Sequence, residues 1–381
     1  MERRRIVVAG LGDMGVLTAM RLSRHADVVG ISTKTALVSG QELGVRLTRP
    51  NDWARDYWIS FDRLRGMDRV RHVQATLSGV DLSARTVVAR REDGTTAVER
   101  YDALVIATGV TNGFWRRSEL QSAQQIAAEL RAAHHRLAAA ESVIVVGGGT
   151  AAVSSAANLA TTWPAKRIEL FYPHDRPLLG HHPRTWNRVQ HRLTQSGVIL
   201  HPGHRAVVPE GFLCDRITSE PIRWSTGQPP SVADAVLWAV GHVRPNTGWL
   251  PRQLLDHKGF VRVTPHLRVP GHRGVFAVGD VAATDPLRSS ARNRADRLVS
   301  HNVRAEFEGR PLRAYRAPAR RWGSVLGGQA DGLEVFTPSG HAFRFPAWSI
   351  DSVLQPWIVR RGIYRGVRPS ADSPPVSGST S

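Results

Sequence analysis

Arg5-Ile6-Val7-Val8-Ala9-Gly10-Leu11-Gly12-Asp13-Met14-Gly15 and Ser142-Val143-Ile144-Val145-Val146-Gly147-Gly148-Gly149-Thr150-Ala151-Ala152 decide how this chain is read. Each is a short apolar strand that ends in a glycine turn and opens a helix. That arrangement brings backbone N–H groups and a helix N-terminus against a pyrophosphate. One such match is weak, because tight strand-to-helix turns use glycine on steric grounds alone. Two in one chain, each in the right context, point to two dinucleotides and to electron transfer between them.

The first unit continues as an α/β alternation. Residues 5–9, 27–31 and 104–107 read as fully apolar strands of a parallel sheet. A helix over 13–25 would bury Val16, Leu17, Met20 and Leu22. Residues 51–71 form a polar stretch rich in Trp, Arg and Asp, and 72–100 read as paired antiparallel strands with a hairpin at Glu92-Asp93-Gly94-Thr95. After Gly109 an Ala-rich helix over 119–140 leads into the second unit: strand 142–146, helix 150–161, strand 168–172. The expected domains are 1–113 with 243–315, interrupted by 114–242, then a small β-rich cap over 316–368 and a Ser/Pro-rich tail over 369–381.

Composition bounds the function. The 381 residues are 41% hydrophobic and 22% charged, ordinary globular values, and no apolar run approaches a membrane span. The first strand begins at once, so the expectation is a cytoplasmic protein. Cys214 is the sole cysteine, which excludes a dithiol within the chain, and the adjacent pairs His134-His135 and His181-His182 lack metal-ligand spacing. No metal is expected. Of 51 basic residues only three are lysine (Lys34, Lys166, Lys258), and the net charge of +19 favours anionic surfaces without naming one.

Two further motifs, Tyr101-Asp102-Ala103-Leu104-Val105-Ile106-Ala107-Thr108-Gly109 and Gly274-Val275-Phe276-Ala277-Val278-Gly279-Asp280, join Val236-Leu237-Trp238-Ala239-Val240-Gly241-His242-Val243-Arg244-Pro245-Asn246. With the paired fingerprints, this order over roughly residues 5–310 resembles the two-dinucleotide flavoprotein reductases, nearest type II NADH dehydrogenases and apoptosis-inducing-factor-like oxidoreductases. The resemblance implies two Rossmann-like domains, FAD and NAD(P) as cofactors, and FAD-dependent NAD(P)H oxidoreductase activity. It implies an FAD set of Gly10, Gly12, Asp13, Met14, Gly15, Ser32, Thr33, Lys34, Thr76, Leu77, Ala107, Thr108, Gly109, Gly279, Asp280 and Ser290. The implied nicotinamide set is Gly147, Gly149, Thr150, Ala151, Ala152, His174, Arg176 and Gly241. Asp280 would bond the ribityl chain. No catalytic residue is assigned.

The departures from the family pattern shape the rest. Strand 27–31 ends in Ser32-Thr33-Lys34, without the ribose-binding acid, so loosely held flavin or an apoprotein stays open. Strand 168–172 is followed by His174, Asp175 and Arg176, which tilts the expectation to NADPH over NADH. Ser154 stands where the family tends to place a glutamate near the flavin–nicotinamide junction. The stretch Ser289-Ser290-Ala291-Arg292-Asn293-Arg294 replaces the alanine–glutamine motif of quinone-reducing members. The acceptor is therefore left open between a quinone, a small substrate and a redox partner. Val353, Leu354, Trp357 and Ile358 share a helical face followed by Arg360, Arg361, Arg365 and Arg368, which could seat on an anionic membrane surface; because Pro356 breaks that run, the expectation is instead that the aromatic face packs onto the cap, with Trp348 and Trp357 a buried pair. No specific nucleic-acid motif is found, and oligomeric state is not read from the sequence. The competing class is a non-catalytic nucleotide-binding protein that uses the fold for partner or nucleic-acid binding.

Overall fold

The structure, a computed structural model, describes residues 3–38, 43–111, 118–241, 243–284, 295–317 and 319–369. Its frame is two parallel sheets. The first has five strands in the spatial order Val275–Ala277, Ala103–Ile106, Arg5–Ala9, Asp27–Ser32 and Val70–Gln74. The second has four, in the order Ile199–His201, Arg167–Phe171, Ser142–Val146 and Ala235–Trp238.

Continuous apolar strands are what a sheet covered on both faces requires, and each central strand divides its side chains by alternation. Ile6 and Val8 face one core with Val16, Leu17 and Met20 of the helix Asp13–Leu22 and Val299 and Val303 of the helix Ala295–Phe307. Val7 and Ala9 face another, shared with Val87, Ala89 and Ala97 of an antiparallel sheet (Thr76–Asp81, Thr86–Arg90, Thr96–Arg100). In the second sheet Val143 and Val145 pack under the helices Thr150–Thr162 and Pro183–Gln195, while Ile144 and Val146 pack against Trp224 and Trp238.

Local signals set the boundaries. The helix Ala123–Ala139 starts later than expected because Ser122 caps it: its Oγ accepts from the Gln125 amide at 3.2 Å while Gln125 returns a bond to the Ser122 amide. The first helix ends at Leu22 rather than His25, with the Ser23 hydroxyl bonded back to the Met20 carbonyl. The strand expected over 72–76 divides at Ala75: Val70–Gln74 closes the parallel sheet and Thr76–Asp81 opens the antiparallel one. The polar stretch 51–71 contributes core, since Trp53 and Trp58 are buried and meet edge to face at 6.4 Å.

The C-terminal part carries a three-stranded antiparallel sheet (Gly328–Gln329, Gly332–Phe336, Ala342–Phe345) and a π-type helix, Ile350–Ile363. It is clamped to the second unit through buried Glu334, which pairs with Arg188 at 2.5 Å. One expectation is corrected here. Trp348 and Trp357 are not a buried pair: they are 73% and 57% exposed, beside exposed Val353, Ile358 and Ile363. The i→i+5 bonding of a π-type helix displaces side chains from the 3.6-residue spacing, and Pro356 inside it has no N–H to donate. What seats this segment is Tyr364, buried in the first core.

Candidate functional site

All strands of the first sheet run parallel, so their carboxyl ends share one edge, where open α/β sheets bind ligands. There the chain assembles motifs far apart in sequence. Gly10 has φ +97° and its N–H bonds the Ile31 carbonyl at 2.8 Å; a Cβ there would come within 2.5 Å of the Ala107 carbonyl oxygen. A Cβ at Gly15 would collide with the Gly10 carbonyl, whereas one at Gly12 would meet nothing within 4 Å. Two glycines of the fingerprint thus serve the turn and helix–strand packing, and the third faces open space at the N-cap of Asp13–Leu22. Gly279, at φ +81°, lies against Met14, so the Gly279-Asp280 turn and the first fingerprint converge across 265 positions of sequence.

Ala107, Thr108 and Gly109 leave the strand at the same edge. The Thr108 hydroxyl is buried with no hydrogen-bond partner, and Gly109 has φ +65° with nothing within 4 Å of a Cβ. Asn246, quoted in the sequence motif without a role, holds this turn: its side-chain amide donates to the Thr108 carbonyl at 3.0 Å and its backbone N–H to the Gly109 carbonyl at 3.1 Å. Sequence reasoning also missed Tyr364, whose hydroxyl donates to Asp13 Oδ1 at 3.1 Å from 351 positions away. No local signal marks a contact of that separation.

The Ser32-Thr33-Lys34 turn is bonded to itself. Ser32 Oγ donates to the Lys34 carbonyl at 2.9 Å and accepts from its N–H, and Lys34 Nζ donates to Thr33 Oγ1 and the Glu119 carbonyl, each at 3.2 Å. Burial pushes the Lys34 ammonium down to about 8, with Glu119 and Glu129 opposing the shift. Thr76 and Leu77 begin the antiparallel sheet just past this edge, with Ala75 bonded to the Ser32 carbonyl. Ser290, with Arg292 and Arg294, lies outside the described residues.

The second fingerprint repeats the geometry. Gly147 has φ +143° and a Cβ there would strike the Ala239 carbonyl; Ala152 packs against it as the third small residue, while Gly149, the N-cap of Thr150–Thr162, faces open space. Thr150 and Ala151 open that helix, and Gly241, at φ +73°, lies just past the neighbouring strand with nothing within 4 Å of a Cβ. The following loop folds against the glycines through a Leu178 N–H bond to the Gly148 carbonyl at 2.8 Å. In that loop His174 is exposed, and Arg176 donates to the Leu178 carbonyl at 3.3 Å. Desolvation, then the charges of Arg320, Arg184, His341 and Arg176, lower the pKa of His182, so two residues of the C-terminal part add to a basic cluster here.

Ser154 is buried, with its hydroxyl 3.3 Å from the Leu326 carbonyl, which also accepts from Asn158 at 2.8 Å. It ties the C-terminal part to the second helix. Cys214 is buried, and desolvation pushes its thiol up to about 11, the reverse of a reactive thiolate. No metal-ligand cluster occurs among the described residues.

Two open glycine loops at helix N-termini, with a buried, unpartnered threonine hydroxyl beside one, have the form of two pyrophosphate-binding turns and define a fold with two dinucleotide-type units. The chain belongs to the pyridine nucleotide-disulphide oxidoreductase family, whose pattern matches residues 4–309. Among solved structures it is similar to the sulfide:quinone oxidoreductase of Aquifex aeolicus (16% identity, TM-score 0.72, covering 96% of this chain and 93% of that one). It is also similar to the water-forming NADH oxidase of Lactobacillus brevis bound to NADH (17%, TM-score 0.62, 87% and 74%). A curated relative, oxidoreductase ptaL of Pestalotiopsis fici, is 27% identical over 117 residues, 31% of this chain and 30% of the relative's length.

Proposed function

We propose that the chain carries electrons from NADPH through FAD to an acceptor that is not a disulfide of its own. The observation that carries this is the pair of glycine positions, Gly12 and Gly149, held open at helix N-termini on two separate parallel sheets. Bound FAD supplies the redox chemistry, accepting a hydride from the nicotinamide. The chain's residues position and hold. Gly12 and the N–H groups of Asp13 and Met14 cradle the FAD pyrophosphate, Asp280 accepts from the ribityl hydroxyls, and Thr108 donates its otherwise unpartnered hydroxyl. Gly149, Thr150 and Ala151 do the same for the nicotinamide dinucleotide, with Arg176 and the basic cluster around His182 facing a 2′-phosphate. The proposed domains are 1–113 with 243–315 for FAD, 114–242 for NADPH and 316–368 as a cap.

The acceptor side rests on the C-terminal helix. Trp348, Trp357, Val353, Ile358 and Ile363 are exposed, and Arg361 lies 5.0 Å over the Trp357 ring. Such a face suits a membrane surface, where a quinone would be met; no helix among the described residues is long and apolar enough to cross a membrane. The deciding experiment is anaerobic titration of the purified protein. Flavin absorption should bleach with NADPH at lower concentration than with NADH. A protein that binds no flavin, or whose flavin neither nucleotide reduces, would support the non-catalytic alternative instead.

A further inference from the structure

The C-terminal strap that carries Tyr364 also closes a cavity of about 250 Å³ remote from both fingerprints. Its lining includes Met20, Ser23, Arg24, Arg65, Arg69 and Arg365. It sits at the far end of the helix Asp13–Leu22, ten residues or about 15 Å from the glycine turn. Four guanidinium groups meet here, and none of the four has an ion pair among the described residues. The carboxylate on the wall, Asp68, is engaged by Arg368 in a two-pronged pair at 2.9 and 2.6 Å, and nearby Asp296 is paired with Arg21.

The backbone is bent to put Arg365 there. Its φ is +58°, in the left-handed region that L-residues other than Gly, Asn and Asp seldom adopt, and Gly366 follows at +115°. The strap is fixed on either side, by the Tyr364–Asp13 bond and by the Gly366 carbonyl accepting from the Arg65 N–H at 3.2 Å. Burial, then repulsion from Arg21, Arg24 and Arg297, lowers the Arg365 pKa against the opposing pull of Asp296, so a positive charge is held among mostly positive neighbours. The partial negative charge at the helix C-terminus, about half a unit, is small beside four guanidinium charges.

We propose that this cavity is a further ligand site, separate from the two dinucleotide sites, that takes a phosphate monoester dianion. Guanidinium forks match phosphate oxygens in geometry as well as charge. The volume falls below that of an ordinary small-molecule pocket, so it receives a phosphate headgroup and leaves the rest of the molecule outside. That chemistry is offered both by a soluble phosphate monoester and by a phospholipid with a terminal phosphate headgroup, such as phosphatidic acid.

The test uses the full-length flavoprotein with NADP⁺ saturating, so that the dinucleotide phosphate positions are filled. Inorganic phosphate is titrated by calorimetry, and phosphatidylcholine vesicles with and without phosphatidic acid are cosedimented. Arg24→Gln combined with Arg365→Gly, the latter compatible with the local backbone, should weaken phosphate binding at least tenfold. Arg69→Gln should weaken it in the same direction, and Arg100→Gln, on an exposed strand of the antiparallel sheet, should leave it unchanged. Flavin absorbance checks that each variant is folded. If a lipid headgroup is the source, the double variant sediments with phosphatidic acid vesicles less than wild type and less than Arg100→Gln; if a soluble ester is, phosphate binds and all three proteins sediment alike through the exposed tryptophan face. Phosphate binding within twofold of wild type in the double variant, or wild type that binds neither probe, overturns the proposal.

Discussion

The three positions Gly12, Gly15 and Gly149 separate what the fold needs from what the cofactors need. Gly12 has φ −73° and ψ −172°, allowed for any residue, and a Cβ there meets nothing within 4 Å. Gly12→Ala should therefore leave the apoprotein intact, and by restricting the unfolded chain should stabilise it by roughly 0.4–1 kcal/mol. The same methyl would stand where a pyrophosphate must approach. Losing one charge-assisted N–H contact costs about 1.5–3 kcal/mol, so flavin should dissociate at least tenfold more readily. Gly15→Ala should do the opposite, because its Cβ collides with the Gly10 carbonyl and only a backbone shift relieves it, at about 1–3 kcal/mol or more. Gly149→Ala should keep flavin and stability but weaken reduction by NADPH about tenfold or more. Urea denaturation of the apoproteins, the flavin-to-protein absorbance ratio after dialysis, and anaerobic NADPH titration separate these results. Gly12→Ala that holds flavin as wild type does, or Gly15→Ala as stable as wild type, would refute the reasoning.

Asp280→Ala should lose flavin more readily than Ser32→Ala, whose hydroxyl is already committed to Lys34; equal flavin content in the two after dialysis would contradict the ribityl role. Arg176→Glu should level or invert the preference for NADPH, read as the ratio of half-reduction concentrations for the two nucleotides; an unchanged ratio would remove the loop from the 2′-phosphate site. The Lys34 ammonium titrates near 8 folded against 10.5 unfolded, so the unfolded chain binds more protons between those values and stability should rise with pH across them, by up to about 3 kcal/mol. Tyr101, raised to about 12 by burial, opposes this above pH 10, so the window to measure is pH 8 to 10, where Lys34→Met should flatten the slope of urea stability. Trp348→Ala with Trp357→Ala should abolish binding to anionic liposomes and leave flavin content unchanged, whereas Tyr364→Phe should loosen flavin and leave liposome binding intact.

The parallel core was legible because both its signals are local. Arg5–Ala9 and Ser142–Val146 are apolar at every position after the first, a pattern that suits a strand covered on both faces, and each runs directly into glycines whose φ values no other residue accepts comfortably. The same locality shows why two boundaries shifted. Ser122 sets a helix start by a bond to Gln125, which overrides the apolar spacing that included Leu120. Tyr364, Asn246 and the Leu326 carbonyl could not be seen as parts of the site. Each acts on a motif 138 to 351 positions away, and nothing in a single sequence records such a pairing.

The C-terminal segment was legible only in composition. Aromatics mixed with arginines suit a buried cap or a surface face equally, and spacing decides between them only if the helix is an ordinary α-helix. Here it is π-type, and the two roles fall to different residues: Tyr364 enters the first core and bonds the fingerprint, while Trp348 and Trp357 stay in solvent. Deletion of 345–381 would remove both at once, so flavin loss from that truncation would not argue against a membrane-facing surface. Only the tryptophan pair changed without Tyr364 isolates the surface, and only Tyr364 changed without the tryptophans isolates the latch. If the double tryptophan variant lost flavin while Tyr364→Phe kept it, the aromatic face, not the latch, would be what closes over the cofactor.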